Sequence, residues 1–234
     1  PTKFSISPTF VPNLVGTSKD ILNQHLKLWK SLSTSQYMSI DPWAWKHVDK
    51  KELEKILKGF NTSMVIGSSG SMIRLGFKRW KEQHPIARKT KFPLCIPNAT
   101  REPSETLCPN YLIEDPQKLI WDDYVPTLLK DRAGNMPINL IEFDYEPHPN
   151  KHCFCSVCLS KFRAFSKLKG SLTREIILSK YANVWFKFRV EQHRQIIKRY
   201  YDSCRKHFPK SKVSLVTDIL HHQGSTIADW CAVD

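Results

Sequence analysis

Residues Ile138 to Phe165 read INLIEFDYEPHPNKHCFCSVCLSKFRAF. The first part has the character of a strand: Ile138, Leu140, Ile141, Phe143 and Tyr145 are β-branched, aliphatic or aromatic, the residues that fit a pleated, half-buried surface. Glu142, Asp144 and Glu146 alternate with the last three of them. Side chains two apart on a strand share a face. The three carboxyls therefore line one side, neighbours roughly 7 Å apart, and the apolar set lines the other. Pro147 and Pro149 end the strand, because proline cannot donate to a ladder. Cys153, Cys155 and Cys158 follow within six positions, and a helix begins after them. Ionised carboxylates are expensive to bury. A row of three at a strand end, next to crowded thiols, reads as a site rather than as the wet face of an edge strand.

Working outward, strands are expected at Gln36–Trp43, Thr62–Ile66, Lys91–Pro97 and Lys212–Leu220, with a short lead-in strand near Phe4–Ser7. Helices are expected at Lys19–Leu32, Asp49–Gly59, Ser71–Gln83, from Asp115-Pro116 to Leu129, and over Phe162–Leu168. Thr173–Phe208 has apolar residues spaced mostly three or four apart and reads as one long amphipathic helix. Asn98–Asp115 is polar and reads as a long loop, a feature that compact domains mostly keep for function. Strand and helix alternate, which implies a parallel sheet with right-handed crossovers. Polar or special residues stand at the strand ends: Asp41, Gly67, Asn98, Asp144 with Glu146, and Asp218. This pattern predicts an α/β fold, a (β/α) barrel of TIM type in which about five or six strands are present, with the site at the C-terminal end of the strands. Residues 1–35 form a lead-in strand and helix, and residues 36–234 the barrel domain. A doubly wound sheet would place its site similarly, but no Gly-x-Gly-x-x-Gly follows the first strand.

Composition narrows the classes. The 234 residues are 41% hydrophobic and 11% aromatic, enough for a sizeable core and too apolar for a disordered chain. No apolar run approaches the roughly 20 residues of a membrane span. The net charge of +14 raises the question of nucleic acid. The basic residues are scattered over the predicted helices, and no RNA-recognition, homeodomain or finger signature is present, so a solvated basic surface is the better reading. The chain begins at Pro1 rather than Met, so upstream residues are expected to have been removed or left out. The compartment stays open, with secretion the favoured side. Seven cysteines fit poorly with a fully paired disulfide framework.

At Phe143-Asp-Tyr-Glu-Pro147 and Cys153-Phe-Cys-Ser-Val-Cys158 the chain resembles glycoside hydrolases of the (β/α)₈ class. One echo is of the family 18 chitinase-like strand Asp-Gly-x-Asp-x-Asp-x-Glu. Here it stands as Asn139-Leu-Ile-Glu142-Phe-Asp144-Tyr-Glu146, so the last Asp and Glu match while the first Asp and the Gly do not. The other is of family 42 β-galactosidase-like proteins, where Cys-x-Cys-x-x-Cys follows the general-acid Glu and an upstream Cys completes a zinc site. The Asn-Glu pair of that family is Tyr145-Glu146 here. The likeness in motif covers residues 139 to 165.

The resemblance implies a protein acting on glycosidic bonds of a carbohydrate substrate. Glu146 would be the general acid that protonates the leaving oxygen, and Asp144 its partner. Asp41, Trp43, Tyr145 and Glu142 are the candidate substrate-binding residues. It also implies a structural zinc ion on Cys153, Cys155 and Cys158, with Cys108 as fourth ligand and His152 or His148 in reserve. Tetrahedral thiolate coordination requires sulfur separations of about 3.7 Å. A disulfide with spare thiols, or a reduced cluster without metal, remains the alternative. The later strand that carries the nucleophile in such enzymes is missing. The chain is then a fragment, is completed by another chain, or is a non-catalytic, degenerate barrel with a structural or binding role. Cys95 and Cys204 read as core filler.

Overall fold

Five short strands, all parallel, run in chain order through one sheet of the computed structural model. It describes residues 9–10, 37–40, 51, 61–66, 77–96, 107–135, 137–144 and 153–216. The strands are β1 (Thr9–Phe10), β2 (Tyr37–Ile40), β3 (Asn61–Ile66), β4 (Leu140–Asp144) and β5 (Lys212–Val216). The acidic strand β4 is flanked on both sides: Ile141 is in register with Met64 of β3 and with Val213 of β5. Within the sheet, side chains are described only on parts of β4 and β5.

Helices outweigh strands among the described residues. They are α1 (Lys78–Gln83), a 3₁₀ turn at Ala87–Lys89, α2 (Pro109–Glu114), a π-helical turn at Ile120–Tyr124 running into α3 (Val125–Ala133), α4 (Ser156–Ser166), α5 (Arg174–Lys180) and α6 (Ala182–His207). The expectation of a TIM-type barrel is corrected here. Among the described residues β1 pairs only with β2 and β5 only with β4, so the sheet does not close. Nor, among the described residues, is each of β3, β4 and β5 separated from the next by a single helix. Among the described residues five helical pieces lie between β3 and β4, the last two continuous, and three helices between β4 and β5, and they pack on one another as well as on the sheet.

The apolar alternation of β4 explains how the layers meet. Ile141 and Phe143 are fully buried. Phe143 stacks on Tyr200 of α6, ring centroids 4.0 Å apart. Each such side chain contributes about 1.5–3 kcal/mol by leaving water. They join Trp80, Ile120, Trp121, Tyr124, Leu129 and Ile196 in the main core. A second core lies farther along the chain, where Phe162 of α4 and Ile177 of α5 meet Trp185 and Phe188 of α6. One helix serves both because Trp185, Phe188, Gln192, Ile196, Tyr200 and Cys204 are all buried, at the three- and four-residue spacing of a single face.

Three local expectations change. Residues 109–114 of the expected long loop are helical, and Pro109 occupies the first turn, where its missing N–H is no loss. Of the strand expected over Lys91–Pro97, residues 91–96 are described, and among the described residues they make an isolated antiparallel bridge, Leu94 to Leu107, and no ladder. Pro93 within it cannot donate to a ladder. The helix expected over Thr173–Phe208 is broken at Tyr181 into α5 and α6. Its hydrogen bonds nevertheless continue across the break, Tyr181 N–H to the Ile177 carbonyl at 2.8 Å and Trp185 N–H to the Tyr181 carbonyl at 2.8 Å.

Candidate metal centre

Cys108, Cys153, Cys155 and Cys158 come together. Cys108 immediately precedes α2, and Cys155 immediately precedes α4, whose first turn carries Cys158. Cys153 is held from the side by the failed strand. Its sulfur accepts the Ile96 N–H at 3.4 Å, and the Phe154 N–H reaches the Ile96 carbonyl at 2.8 Å. The Cys108 N–H reaches the Pro93 carbonyl at 2.9 Å. Residues 93–96 therefore fasten both cysteine-bearing segments through backbone groups that a sheet did not use.

The sulfur of Cys108 lies 3.7 Å from that of Cys155, 3.6 Å from that of Cys158 and 4.0 Å from that of Cys153. All four sulfurs lie within 4.8 Å of one another, close to the edges of a tetrahedron built on metal–sulfur bonds of about 2.3 Å. Three of the four are fully buried and Cys155 is half-buried. None is in a disulfide. Donors converge on the group besides Ile96 N–H: the Cys158 N–H points to the Cys155 sulfur at 3.5 Å, and the Asn110 side-chain amide to the Cys158 sulfur at 3.1 Å.

Crowding splits the acidities. Hydrogen bonds from Cys108 and its neighbours hold the Cys153 thiol far below its ordinary value, and the hydrogen bond with Cys108 brings Cys155 down to about 7. The hydrogen bonds that Cys108 and Cys158 make within the group, together with burial, hold these two up. Proton sharing of this kind is what four thiols need when they lack a cation; a divalent cation removes the need by favouring every thiolate. These four residues could hold a metal ion with no position left for water, the arrangement of a structural rather than a catalytic site.

Cys95 packs against the same group and hydrogen bonds with Cys153, so it is part of this neighbourhood and not remote core filler. Cys204 is core filler: it is fully buried, and burial pushes its thiol up to about 12. Of the other expected site residues, Glu142 and Asp144 lie on β4, which is described in its backbone only at these positions. Asp41, Trp43, Tyr145, Glu146, His148 and His152 lie outside the described residues. No helix among the described residues is long and apolar enough to cross a membrane. No protein-family model and no curated protein matches the sequence.

Sequence reasoning missed Asn110, whose amide meets Cys158, and the buried Gln192 and Arg189 that are hydrogen-bonded in turn behind it. Single amides far apart in the chain carry no spacing signal; only the polar interruption of the apolar face of α6 marks two of them.

Proposed function

We propose that the chain is a zinc-stapled, carbohydrate-active protein. Cys108, Cys153, Cys155 and Cys158 hold one Zn²⁺, and the metal ties the segment before α2 to the segment that follows β4. The observation that carries the metal half is the mutual approach of four sulfurs to within 4.8 Å. All-thiolate donors suit Zn²⁺ among the divalent ions, since harder cations take oxygen ligands. The test is metal analysis of the purified chain beside Cys108→Ser. One equivalent of zinc is expected in the parent and a large loss in the variant; a parent chain free of metal after zinc loading would overturn the site.

The carbohydrate half is supported by the acidic run on and after β4 and by the resemblance at residues 139 to 165. Glu146 serves as the general acid of a glycoside-cleaving site, with Asp144 beside it and Asp41, Trp43, Tyr145 and Glu142 around the sugar. Cys153 follows Glu146 by seven positions, so the proposed metal anchors the chain a short distance in sequence beyond the proposed acid. Glu146→Gln keeps the shape and removes the proton donor. On a glycoside with a poor leaving group it should lower the rate by about 10²- to 10⁴-fold, and much less on one with a good leaving group. Equal small losses on both would remove Glu146 from the role. The second reading is a non-catalytic binding or structural protein. It is favoured by the open sheet of the described residues and by the net charge of +14, and it is supported if the parent chain binds sugars but cleaves none.

A further inference from the structure

We infer that Arg189, Gln192 and Asn110 are positioning residues of the metal centre, joined in a one-way hydrogen-bond relay that ends on the sulfur of Cys158. The inference rests on the zinc reading above. The relay is continuous: the Arg189 guanidinium donates to Gln192 Oε1 at 2.6 Å, Gln192 Nε2 donates to Asn110 Oδ1 at 2.9 Å, and Asn110 Nδ2 donates to Cys158 Sγ at 3.1 Å. Every member is buried, with exposures of 5% for Arg189, 2% for Gln192 and 5% for Asn110.

Its direction follows from chemistry. A guanidinium has five N–H groups and no acceptor. Whatever faces Arg189 must be an oxygen, so Gln192 turns its NH₂ away, toward Asn110. Asn110 must then present its oxygen to Gln192 and its NH₂ to Cys158. An amide orientation is usually a choice between two fits; here the arginine leaves only one. The sulfur at the end of the chain is thereby an acceptor, a role that a thiol sulfur fills weakly and a metal-bound thiolate strongly.

Charge gives the second reason. No carboxylate among the described residues pairs with Arg189, and its Nε has no hydrogen-bond partner. A buried guanidinium without a counter-charge is unfavourable. Four thiolates on one divalent cation carry two formal negative charges, which supply that counter-charge. Residues that hydrogen-bond metal ligands typically set affinity over about 10- to 100-fold.

The test uses the full chain with Zn²⁺ competed against a chelator, and Co²⁺ as spectroscopic probe. Gln192→Glu still accepts from Arg189, and pairs its charge better, but no longer orients Asn110. Its zinc affinity should fall by about 10- to 100-fold without loss of thermal stability in the metal-free chain, and the sulfur-to-cobalt charge-transfer band should move. Arg189→Met should weaken zinc similarly, and Arg189→Lys, which keeps charge and donor, should restore it. Parent-like affinity and band position in both Gln192→Glu and Arg189→Met would overturn the relay while leaving the zinc site standing. A parent chain that takes up neither metal would overturn both. If Arg189→Met does not fold, Gln192→Glu decides.

Discussion

Asp115 shows how one side chain starts an element. Its backbone is left-handed, φ 34°, a conformation that aspartate tolerates better than most residues. From there its buried carboxylate accepts the N–H groups of Leu119, Ile120 and Trp121, each at 3.0 Å. These are the donors that a helix start leaves without partners. Burial pushes the carboxyl upward, and the three N–H groups oppose it, with a net rise. Asp115→Ala strands several buried donors and should cost about 2 kcal/mol or more. Asp115→Asn keeps an acceptor and the left-handed tolerance, so it should lose less. Urea unfolding of the two variants checks the order; equal losses would mean that the backbone, not the cap, is decisive. Asp115-Pro116 was legible as the lead into a helix from its residue types, but the helical turn begins at Ile120 and not at Pro116. The fourth thiol was legible too, through the likeness that joins Cys108 to Cys-x-Cys-x-x-Cys. Cys95 was not, since nothing in its spacing separates a cluster neighbour from a packed core thiol.

Elements here are held by partners far apart in sequence. The π-helical turn is tied to the end of α6 through Asp122, which meets Lys206 at 3.0 Å and His207 at 3.7 Å. Burial raises the Asp122 carboxyl, but the hydrogen bond and charge of Lys206, with His207, outweigh it, and the net shift is downward. A depressed carboxyl stabilises the fold above its unfolded value of about 3.9, and the contribution disappears as pH falls through the folded value. Asp122→Asn should therefore lose up to about 1 kcal/mol at neutral pH, the scale of a solvent-exposed pair, and match the parent near about pH 2. Unfolding measured at both pH values tests it, and a difference that persists in acid would assign the effect to packing. Amphipathic spacing made α6 legible. Its separation from α5 at Tyr181 was not, because the sequence there contains neither proline nor glycine and the hydrogen bonding is continuous. Helix α2 carried a usable signal in Pro109, overshadowed by the polar residues before it. The segment 93–96 had strand composition without a strand partner, and its carbonyls went to the cysteine loops instead.

At the scale of the whole molecule, alternating strands and helices correctly implied parallel pairing and a helix-covered apolar face on β4. The closed barrel read from the same alternation was wrong, because closure depends on how the two edge strands meet and has no local signature, and among the described residues the edge strands do not pair. Nor did the alternation reveal how many helices would gather between neighbouring strands. The cysteine group sits where that gathering is fastened, joining the segments before α2 and after β4 to residues 93–96. Structural zinc is worth about 10–16 kcal/mol of apparent binding free energy in small domains, comparable with the whole stability of a typical domain. Chelation should thus lower the melting temperature sharply and uncouple α2 from α4, seen as faster amide exchange in residues 107–114 and 153–166; a chelator without effect on a zinc-loaded chain would make the metal incidental. The most direct measurement is X-ray absorption at the zinc edge of the purified, zinc-loaded chain. One zinc per chain with four sulfur neighbours at about 2.3 Å is the predicted result. A first shell containing nitrogen or oxygen, or fewer than four sulfurs, would contradict the four-cysteine site.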